Sequence, residues 1–345
     1  MLRKTTRVIL NHSNAQWHNL FPIRHRRLSV LFFGSDVFSK ACLKALYNNS
    51  KLSAESGKAV DKLGVVCLPE KQSKLPVKIF ADKEKIPIFT YPEFPRDCKY
   101  DIGVVVSFGK LLPKKVIKSY KFGMINVHGS ILPKWRGASP LAHTIMNGDK
   151  NAGITVMEIK SGKFDHGRVL AQSEVIKVKQ EWTSEDLGIA LEDIASKCLL
   201  KCLGNIELYL ENAKEQTGDI SYAPKITTGH SNISWEAQTA EEIYRKYKAF
   251  GFKKDFVLRT NYQEKGVKLQ KMTRLDMEEI PQGLVEKTIP GDVHFDKKSK
   301  TIYVRCKDTF VGITKLVYGK PLAAQDFYNG SMQERIKQGE KIRFE

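Results

Sequence analysis

Asn126 and His128 are the residues of this sequence whose types and spacing best suit catalysis. They alternate with the apolar residues Ile125 and Val127, so both polar side chains leave the same face of a predicted strand. An amide N–H can donate to an oxygen that becomes negative, and an imidazole can move a proton near neutral pH. The pair therefore fits acyl transfer. The alternative is that both residues cap the strand and satisfy backbone groups of the following loop.

Asp165 is the candidate for a third member of this site. It lies in the segment Lys163-Phe164-Asp165-His166-Gly167. A carboxylate beside His128 would fix the tautomer of the imidazole and stabilise its cationic form as charge develops. In a segment that ends in glycine, however, an aspartate is usually a turn residue. Sequence spacing alone does not place residue 165 next to residue 128.

Four apolar runs are predicted to be the strands that position these side chains. They cover residues 28–33, 63–68, 102–106 and 123–127 and are largely apolar on both faces, as in a doubly wound parallel sheet. The carboxyl ends of such strands open into the crevice where α/β proteins bind ligands. An antiparallel pair at 153–159 and 169–178 and a long amphipathic helix at 184–210 would complete this α/β domain.

The character of the sequence changes after residue 215. Residues 216–232 are polar and rich in turn formers, which predicts a linker. A helix at 239–250 and alternating segments at 267–274, 301–306 and 311–317 follow, spaced as in a small antiparallel barrel. We therefore place the catalytic domain at 28–215 and a second domain at 233–345.

The charge of the chain points to a polyanionic partner. The 345 residues carry a formal net charge of +19, of which +7 falls in residues 28–232 and +6 in residues 233–345. Between residues 102 and 148 there are seven basic residues, including Lys134 and Arg136, and no acidic one. An unmixed basic rim beside the candidate site favours an anionic substrate such as nucleic acid. A generally basic soluble protein is the alternative.

The first 27 residues have a different composition. They contain six cations and no acidic residue, which is typical of a presequence for import into mitochondria. A basic tail that contacts RNA or solvates the protein is the alternative. The presequence interpretation predicts a protein of the mitochondrial matrix.

Several kinds of site and protein are not indicated. The sequence contains neither GxGxxG nor GxxxxGK[ST], and neither HExxH nor CxxC, so we expect no dinucleotide, P-loop nucleotide or metal. Its six cysteines form no disulfide framework, and Cys198 and Cys202 are interpreted as small core residues rather than a redox pair. No apolar run reaches membrane-spanning length, so we expect no membrane association.

Two long segments resemble the folate-dependent formyltransferase family. They are INVHGSILPKWRGASP at 125–140 and AGITVMEIKSGKFDHGRVLAQ at 152–172, which combine Asn-x-His, Ser-x-Leu-Pro, Trp-Arg-Gly-Ala and a distant Asp-x-Gly in the family's order. More loosely, the resemblance extends from residue 28 to about 330. It implies a Rossmann-like domain followed by an OB-like barrel that contacts tRNA.

The resemblance also implies an activity and a set of site residues. The reaction would transfer a formyl group from 10-formyltetrahydrofolate to the α-amine of initiator methionyl-tRNA, without a metal, and we expect a monomer. Asn126, His128 and Asp165 match the family's catalytic residues. The segments that match its reduced-folate site are Ser107-Phe108-Gly109, which would wall the pterin pocket, and Ser130-Ile131-Leu132-Pro133.

Two features depart from the family pattern. The loop at 69–76 is shorter than in bacterial relatives and has no arginine. Its contact with tRNA is therefore open, although Lys71, Lys74 and Lys78 could reach phosphates together with Lys134 and Arg136. The second departure is His166, where relatives often have threonine.

The sequence leaves two rival functions open. A sibling formyltransferase could act on an amino-sugar nucleotide or a purine precursor, and a non-catalytic RNA-binding protein could keep the same fold. The basic second domain and the start of the chain favour the tRNA substrate over the small ones.

Overall fold

The computed structural model describes residues 27–53, 56–69, 75–95 and 99–345. The proposed presequence therefore lies outside the described residues, except for Arg27. The amino-terminal domain contains the strands β1 Leu28–Gly34, β2 Val60–Cys67, β3 Ile88–Thr90, β4 Ile102–Val106, β5 Met124–His128, β6 Asn151–Ala152, β7 Thr155–Glu158, β8 Val169–Gln172 and β9 Ile176–Lys177. Its helices are α1 Val37–Ser50, α2 Pro76–Lys83, α3 Lys114–Ile117, α4 Pro140–Met146, α5 Ser184–Gly204 and α6 Ile206–Glu211.

A seven-stranded sheet forms the centre of this domain. Its order is β3-β2-β1-β4-β5-β7-β8, with parallel pairs as far as β5 and antiparallel pairs beyond it. The strand order reverses between β1 and β4, which creates the kind of crevice where α/β proteins bind ligands. This confirms the predicted α/β architecture, since the apolar runs form the inner strands and are almost wholly buried.

Helices α1 and α5 pack against each other beside the sheet. Helix α5 begins at a capping box in which the Thr183 hydroxyl accepts from the Asp186 N–H, and the Asp186 side chain accepts from the Thr183 N–H. Cys198 and Cys202 are buried on this helix, as expected for small core residues. The prediction of one helix over 184–210 is wrong, because Asn205 leaves the helical region with φ −143° and separates α5 from α6.

The carboxyl-terminal domain is an antiparallel barrel with three short helices. Its elements are α7 Ala240–Lys246, β10 Leu258–Tyr262, β11 Lys265–Arg274, β12 Val293–Asp296, β13 Thr301–Arg305, β14 Phe310–Tyr318, β15 Lys320–Ala323, α8 Ala324–Phe327 and α9 Gln333–Lys337. The strands pair in the order β10-β11-β14-β13-β12, and β15 adds to β14. A π-helical turn, Tyr247–Gly251, extends α7, so the predicted helix at 239–250 is present.

The last residues of the chain close the barrel between β12 and β10. On the β12 side, the Val293 N–H donates to the Ile342 carbonyl at 2.9 Å, and the Phe344 N–H donates to the Gly291 carbonyl at 2.8 Å. On the other side, Asn261 and Glu345 exchange two backbone hydrogen bonds of 2.9 and 3.0 Å. Closure leaves neither β10 nor β12 with an open edge at this point.

Residues 216–226, predicted as part of a linker, form an ordered strap along the loop that follows β5. The Arg136 N–H donates to the Ser221 carbonyl at 2.9 Å, and the Ala223 N–H donates to the Arg136 carbonyl at 2.7 Å. The strap then leads into the barrel, and one continuous hydrophobic core runs through both domains. Within the described residues, no helix combines the length and the apolar character needed to cross a bilayer.

Candidate active site

The structure brings Asn126, His128 and Asp165 together. Asn126 and His128 are the third and the last residue of β5, and Asp165 comes from the loop between β7 and β8. The Asn126 Nδ2 group donates to Asp165 Oδ1 at 3.1 Å, and His128 Nδ1 lies 3.7 Å from Asp165 Oδ2. His128 is 5% exposed and Asp165 9% exposed, so water screens their interaction weakly.

The tautomer of His128 is set by a backbone carbonyl and not, as predicted, by Asp165. His128 Nε2 lies 2.8 Å from the Trp135 carbonyl oxygen, which can only accept, so the neutral ring carries its proton on Nε2. Nδ1 is then the ring nitrogen that can take up a proton, and it faces Asp165. Trp135 holds its carbonyl there in the left-handed conformation, with φ 62°.

Asp149 fixes the Trp135 ring. The indole Nε1 donates to Asp149 Oδ2 at 2.6 Å, and Lys134 Nζ donates to Asp149 Oδ1 at 2.8 Å. On α4, His143 packs against the same indole with 5.5 Å between ring centroids. These contacts orient the residue whose carbonyl orients His128.

The Asp165 carboxylate is held by one backbone N–H as well as by Asn126. The Gly137 N–H donates to Asp165 Oδ2 at 2.8 Å, and Asp165 has φ 56°, which is unusual for a residue other than glycine. Two residues later, Gly167 lies against β7. A Cβ at that position would be 1.7 Å from the Glu158 carbonyl oxygen, so only glycine fits there.

The turn predicted to hold folate, Ser130–Pro133, is fastened by two side chains that sequence analysis missed. The Thr155 hydroxyl donates to the Ser130 carbonyl at 2.7 Å and accepts from the Leu132 N–H at 3.0 Å. Gln172 Nε2 donates to the Leu132 carbonyl at 2.8 Å. Their positions on β7 and β8, within the second family-like segment, are the signal that could have found them.

The Ser107-Phe108-Gly109 loop follows β4, the neighbour of β5. Ser107 and Gly109 are exposed and have φ 49° and 71°, whereas Phe108 is buried. The Phe108 ring packs edge-on against Phe33 and Tyr91, with centroids 5.4 and 5.6 Å apart. Ser107 and Gly109 are therefore the solvent-exposed residues of this loop.

The five cations predicted to contact tRNA have different surroundings. Lys71 and Lys74 lie outside the described residues, and Lys78 is half-buried on α2. Lys134 is about half exposed in its pair with Asp149. Arg136 is only 8% exposed, so it does not belong to an exposed basic rim. Its guanidinium group donates hydrogen bonds to Gln216 and His166. A phosphate contact is therefore not expected of Arg136.

Burial lowers the pKa of three histidines, which predicts a loss of stability in acid. Burial is the main cause for His143, His166 and His294, and at His166 the charges of Arg136 and Lys163 lower the pKa further. A histidine whose pKa is lower in the folded than in the unfolded state costs no stability above about pH 6.5, the unfolded-state pKa. As the pH falls below that value, the unfolded state binds the proton more readily and the protein loses stability.

The variant His143→Gln tests this pH dependence. Glutamine retains a donor for the Pro224 carbonyl, to which His143 Nε2 donates at 3.1 Å. We expect the melting temperature of the variant to fall less than that of the wild type between pH 7.5 and 5.5. Equal falls would contradict a lowered pKa at His143.

No group of three or more His, Cys, Asp or Glu residues within the described ranges is arranged to hold a metal ion. The site instead presents an amide donor, one imidazole nitrogen and a carboxylate around a common point. This set can stabilise an oxyanion and move a proton.

Comparisons with known proteins show the family to which the chain belongs. The profile described as "Formyl transferase" matches residues 92–203, and "Formyl transferase, C-terminal domain" matches residues 225–332. The mitochondrial methionyl-tRNA formyltransferases of Bos taurus and Homo sapiens are each 37% identical over 305 residues, covering 87% of this chain and 77% of theirs. A methionyl-tRNA formyltransferase of Wolbachia is 29% identical over 90% of this chain and 99% of its own.

Solved structures share the fold. An N-formyltransferase from Helicobacter canadensis, in complex with folinic acid and dTDP-3-aminofucose, has a TM-score of 0.56 at 19% identity and covers 83% of this chain and 98% of its own. HypX from Aquifex aeolicus, in complex with tetrahydrofolic acid, has a TM-score of 0.55 at 17% identity over 90% of this chain, which spans 48% of HypX. With these profiles and relatives, the chain belongs to the formyl transferase family, among the methionyl-tRNA formyltransferases.

Proposed function

We propose that this protein transfers the formyl group of 10-formyltetrahydrofolate to the α-amino group of initiator methionyl-tRNA, in the mitochondrial matrix, for the initiation of mitochondrial translation. The observation that carries the proposal is the convergence of Asn126, His128 and Asp165 within 3.7 Å at the end of β5. The names of the relatives supply the acceptor, and those of the mammalian relatives supply the compartment. The acid-free first 27 residues support import.

In this reaction the free amine attacks the formyl carbon and forms a C–N bond. The carbonyl oxygen becomes an oxyanion, which Asn126 Nδ2 and the cationic His128 ring would stabilise. One Nδ2 hydrogen is used for Asp165, and this bond turns the amide so that the second hydrogen can serve the oxyanion.

The amine must also lose a proton, and the folate nitrogen must gain one as its bond to the formyl carbon breaks. With Nε2 committed to the Trp135 carbonyl, proton movement through His128 uses Nδ1. Asp165, 3.7 Å from Nδ1, stabilises the cationic ring and, directly or through water, helps move the proton.

A formyl-transfer assay on the purified protein tests the proposal. Charged initiator methionyl-tRNA is compared with an amino-sugar nucleotide and a purine precursor as acceptors. We expect transfer to methionyl-tRNA alone. Transfer to either small acceptor, or RNA binding without any transfer, would instead support one of the rival functions.

Binding to methionyl-tRNA is expected to weaken steeply with salt, because the charge is +7 in residues 28–232 and +6 in residues 233–345. Each phosphate contact releases counterions, so about four contacts would reduce affinity about a hundredfold between 50 and 200 mM salt. Filter binding or fluorescence anisotropy across a salt series measures the slope. A flat response would contradict a tRNA substrate.

A further inference from the structure

The side-chain amide of Gln216 joins two loops of the candidate active site. Its Oε1 accepts from Arg136 Nε at 2.9 Å and from Arg136 Nη2 at 2.7 Å. Its Nε2 donates to the carbonyls of Asp165 and Gly167, each at 2.9 Å. The two donors on one side and the two acceptors on the other allow only this orientation of the amide.

Both loops held by Gln216 position catalytic groups. The first contains Arg136, whose neighbour Trp135 accepts from His128 and whose neighbour Gly137 donates to the Asp165 carboxylate. The second contains Asp165 itself, in a left-handed conformation that needs external support. Gln216 therefore fixes one loop relative to the other from the first residue of the strap.

The buried cation in this cluster has neutral hydrogen-bond acceptors. Arg136 is 8% exposed, and its guanidinium donates to Gln216 and, at 3.3 Å, to His166 Nδ1. His166 can accept only while that nitrogen is unprotonated, which agrees with its lowered pKa, caused first by burial and then by Arg136 and Lys163. By accepting this hydrogen bond, His166 helps to hold the guanidinium group of Arg136 in place.

We propose that Gln216 is a positioning residue for formyl transfer, whose amide couples Arg136 to the Asp165 loop and thereby sets the Asp165 carboxylate between Asn126 and His128. This inference rests on the proposed function and adds to it a residue of the strap. Gln216 acts through Asp165 and does not contact the reacting atoms itself.

The variant Gln216→Glu separates this role from general stabilisation. A carboxylate would still accept from Arg136 and would give the buried guanidinium a counter-charge. It cannot donate to the Asp165 and Gly167 carbonyls, so oxygen would face oxygen on that side. We expect the ion pair with Arg136 to offset the free energy lost with the two donated bonds, so that the variant stays folded while the Asp165 loop moves away.

The experiment compares wild type with Gln216→Glu and Asp165→Asn, singly and combined. The matched control is Gln180→Glu, the same change at an exposed side chain. We expect Gln216→Glu to lower kcat ten- to a hundredfold, since a misplacement of about 1 Å can cost about a hundredfold. KM for folate and methionyl-tRNA and the melting temperature should change little. In the Asp165→Asn background the same substitution should have almost no further effect, because both changes act on one carboxylate.

A wild-type kcat in Gln216→Glu, or losses that multiply in the double variant, would overturn the inference. So would a kcat that only follows a lowered melting temperature. Crystal structures of wild type and Gln216→Glu supply a readout independent of the acceptor, with an expected carboxylate shift of about 1 Å. An unmoved carboxylate refutes the positioning role, whereas a wild-type protein that does not formylate methionyl-tRNA refutes the proposed function instead.

Discussion

Replacing Asn126 by alanine is expected to lower kcat for formyl transfer by about two orders of magnitude while the fold remains intact. Loss of one oxyanion donor costs about 3 kcal/mol of transition-state stabilisation. Asn126 also donates to Asp165 Oδ1 at 3.1 Å, so the substitution removes one of the groups that orient the carboxylate. The effect should fall on kcat, because the oxyanion exists only after the amine has attacked.

His128→Ala should reduce kcat at least as far. It removes both the cationic ring and the proton carrier, and it leaves the Trp135 carbonyl without the partner 2.8 Å away. An unsatisfied buried acceptor costs about 1–3 kcal/mol of folding free energy, so this variant should also melt at a lower temperature.

Steady-state kinetics with saturating folate and methionyl-tRNA, together with circular dichroism, measure both variants. Asn212→Ala serves as the control, since Asn212 is exposed and its amide donates only locally, to the Leu208 carbonyl at 2.8 Å. Near-normal turnover in either Asn126→Ala or His128→Ala would remove that residue from the mechanism.

The inner strands could be predicted from sequence because a run of consecutive apolar residues indicates a strand that is buried on both faces. Residues 102–106 are apolar throughout, and the strand found there is buried at each position. The pair Asn126 and His128 could likewise be predicted from the period of two in a strand. The approach of Asp165 was implied only by family resemblance, because sequence spacing does not determine which loops meet across a sheet.

The supports of the site could not be predicted, since they are long-range hydrogen bonds between polar residues. Gln216 and the strap have the polar, turn-rich composition of a solvated linker, and the partners of Gln216 lie 49 to 80 residues away. The Trp135 carbonyl is a backbone group with no sequence signal. The sequence groups Arg136 with exposed cations because charged side chains usually lie at the surface, whereas neutral hydrogen-bond acceptors here allow its burial.

The helix break at Asn205 has a similar explanation. Apolar periodicity continues past it, so the pattern predicts one helix, although Gly204 and Asn205 are weak helix formers.

The barrel could be predicted from the alternation of apolar and polar residues in its longer strands. Its closure by residues 342–345 depends on backbone pairing on the β10 and β12 sides. A segment of four residues is too short for its sequence pattern to predict this pairing.

Gly137→Ala is expected to damage stability and activity together, because this glycine is where the strap, the loop after β5 and Asp165 meet. Gly137 has φ 128°, and a Cβ there would lie 2.5 Å from the Ala223 carbonyl oxygen in the strap. Backbone strain and overpacking each cost about 1–3 kcal/mol, so we expect a loss of about 3 kcal/mol in the free energy of unfolding.

The same substitution should lower kcat about a hundredfold, since relief of the clash moves the Gly137 N–H away from Asp165 Oδ2, now 2.8 Å distant. Gly319→Ala is the control: its φ is 72° and no atom lies within 4 Å of the added Cβ, so it carries conformational strain without a clash. Denaturant unfolding and kinetics should show a loss of about 1 kcal/mol and normal turnover for the control. If the two variants behave alike, contact with the strap does not set the geometry of the site. A Gly137→Ala protein that is destabilised but fully active would instead separate the strap from Asp165.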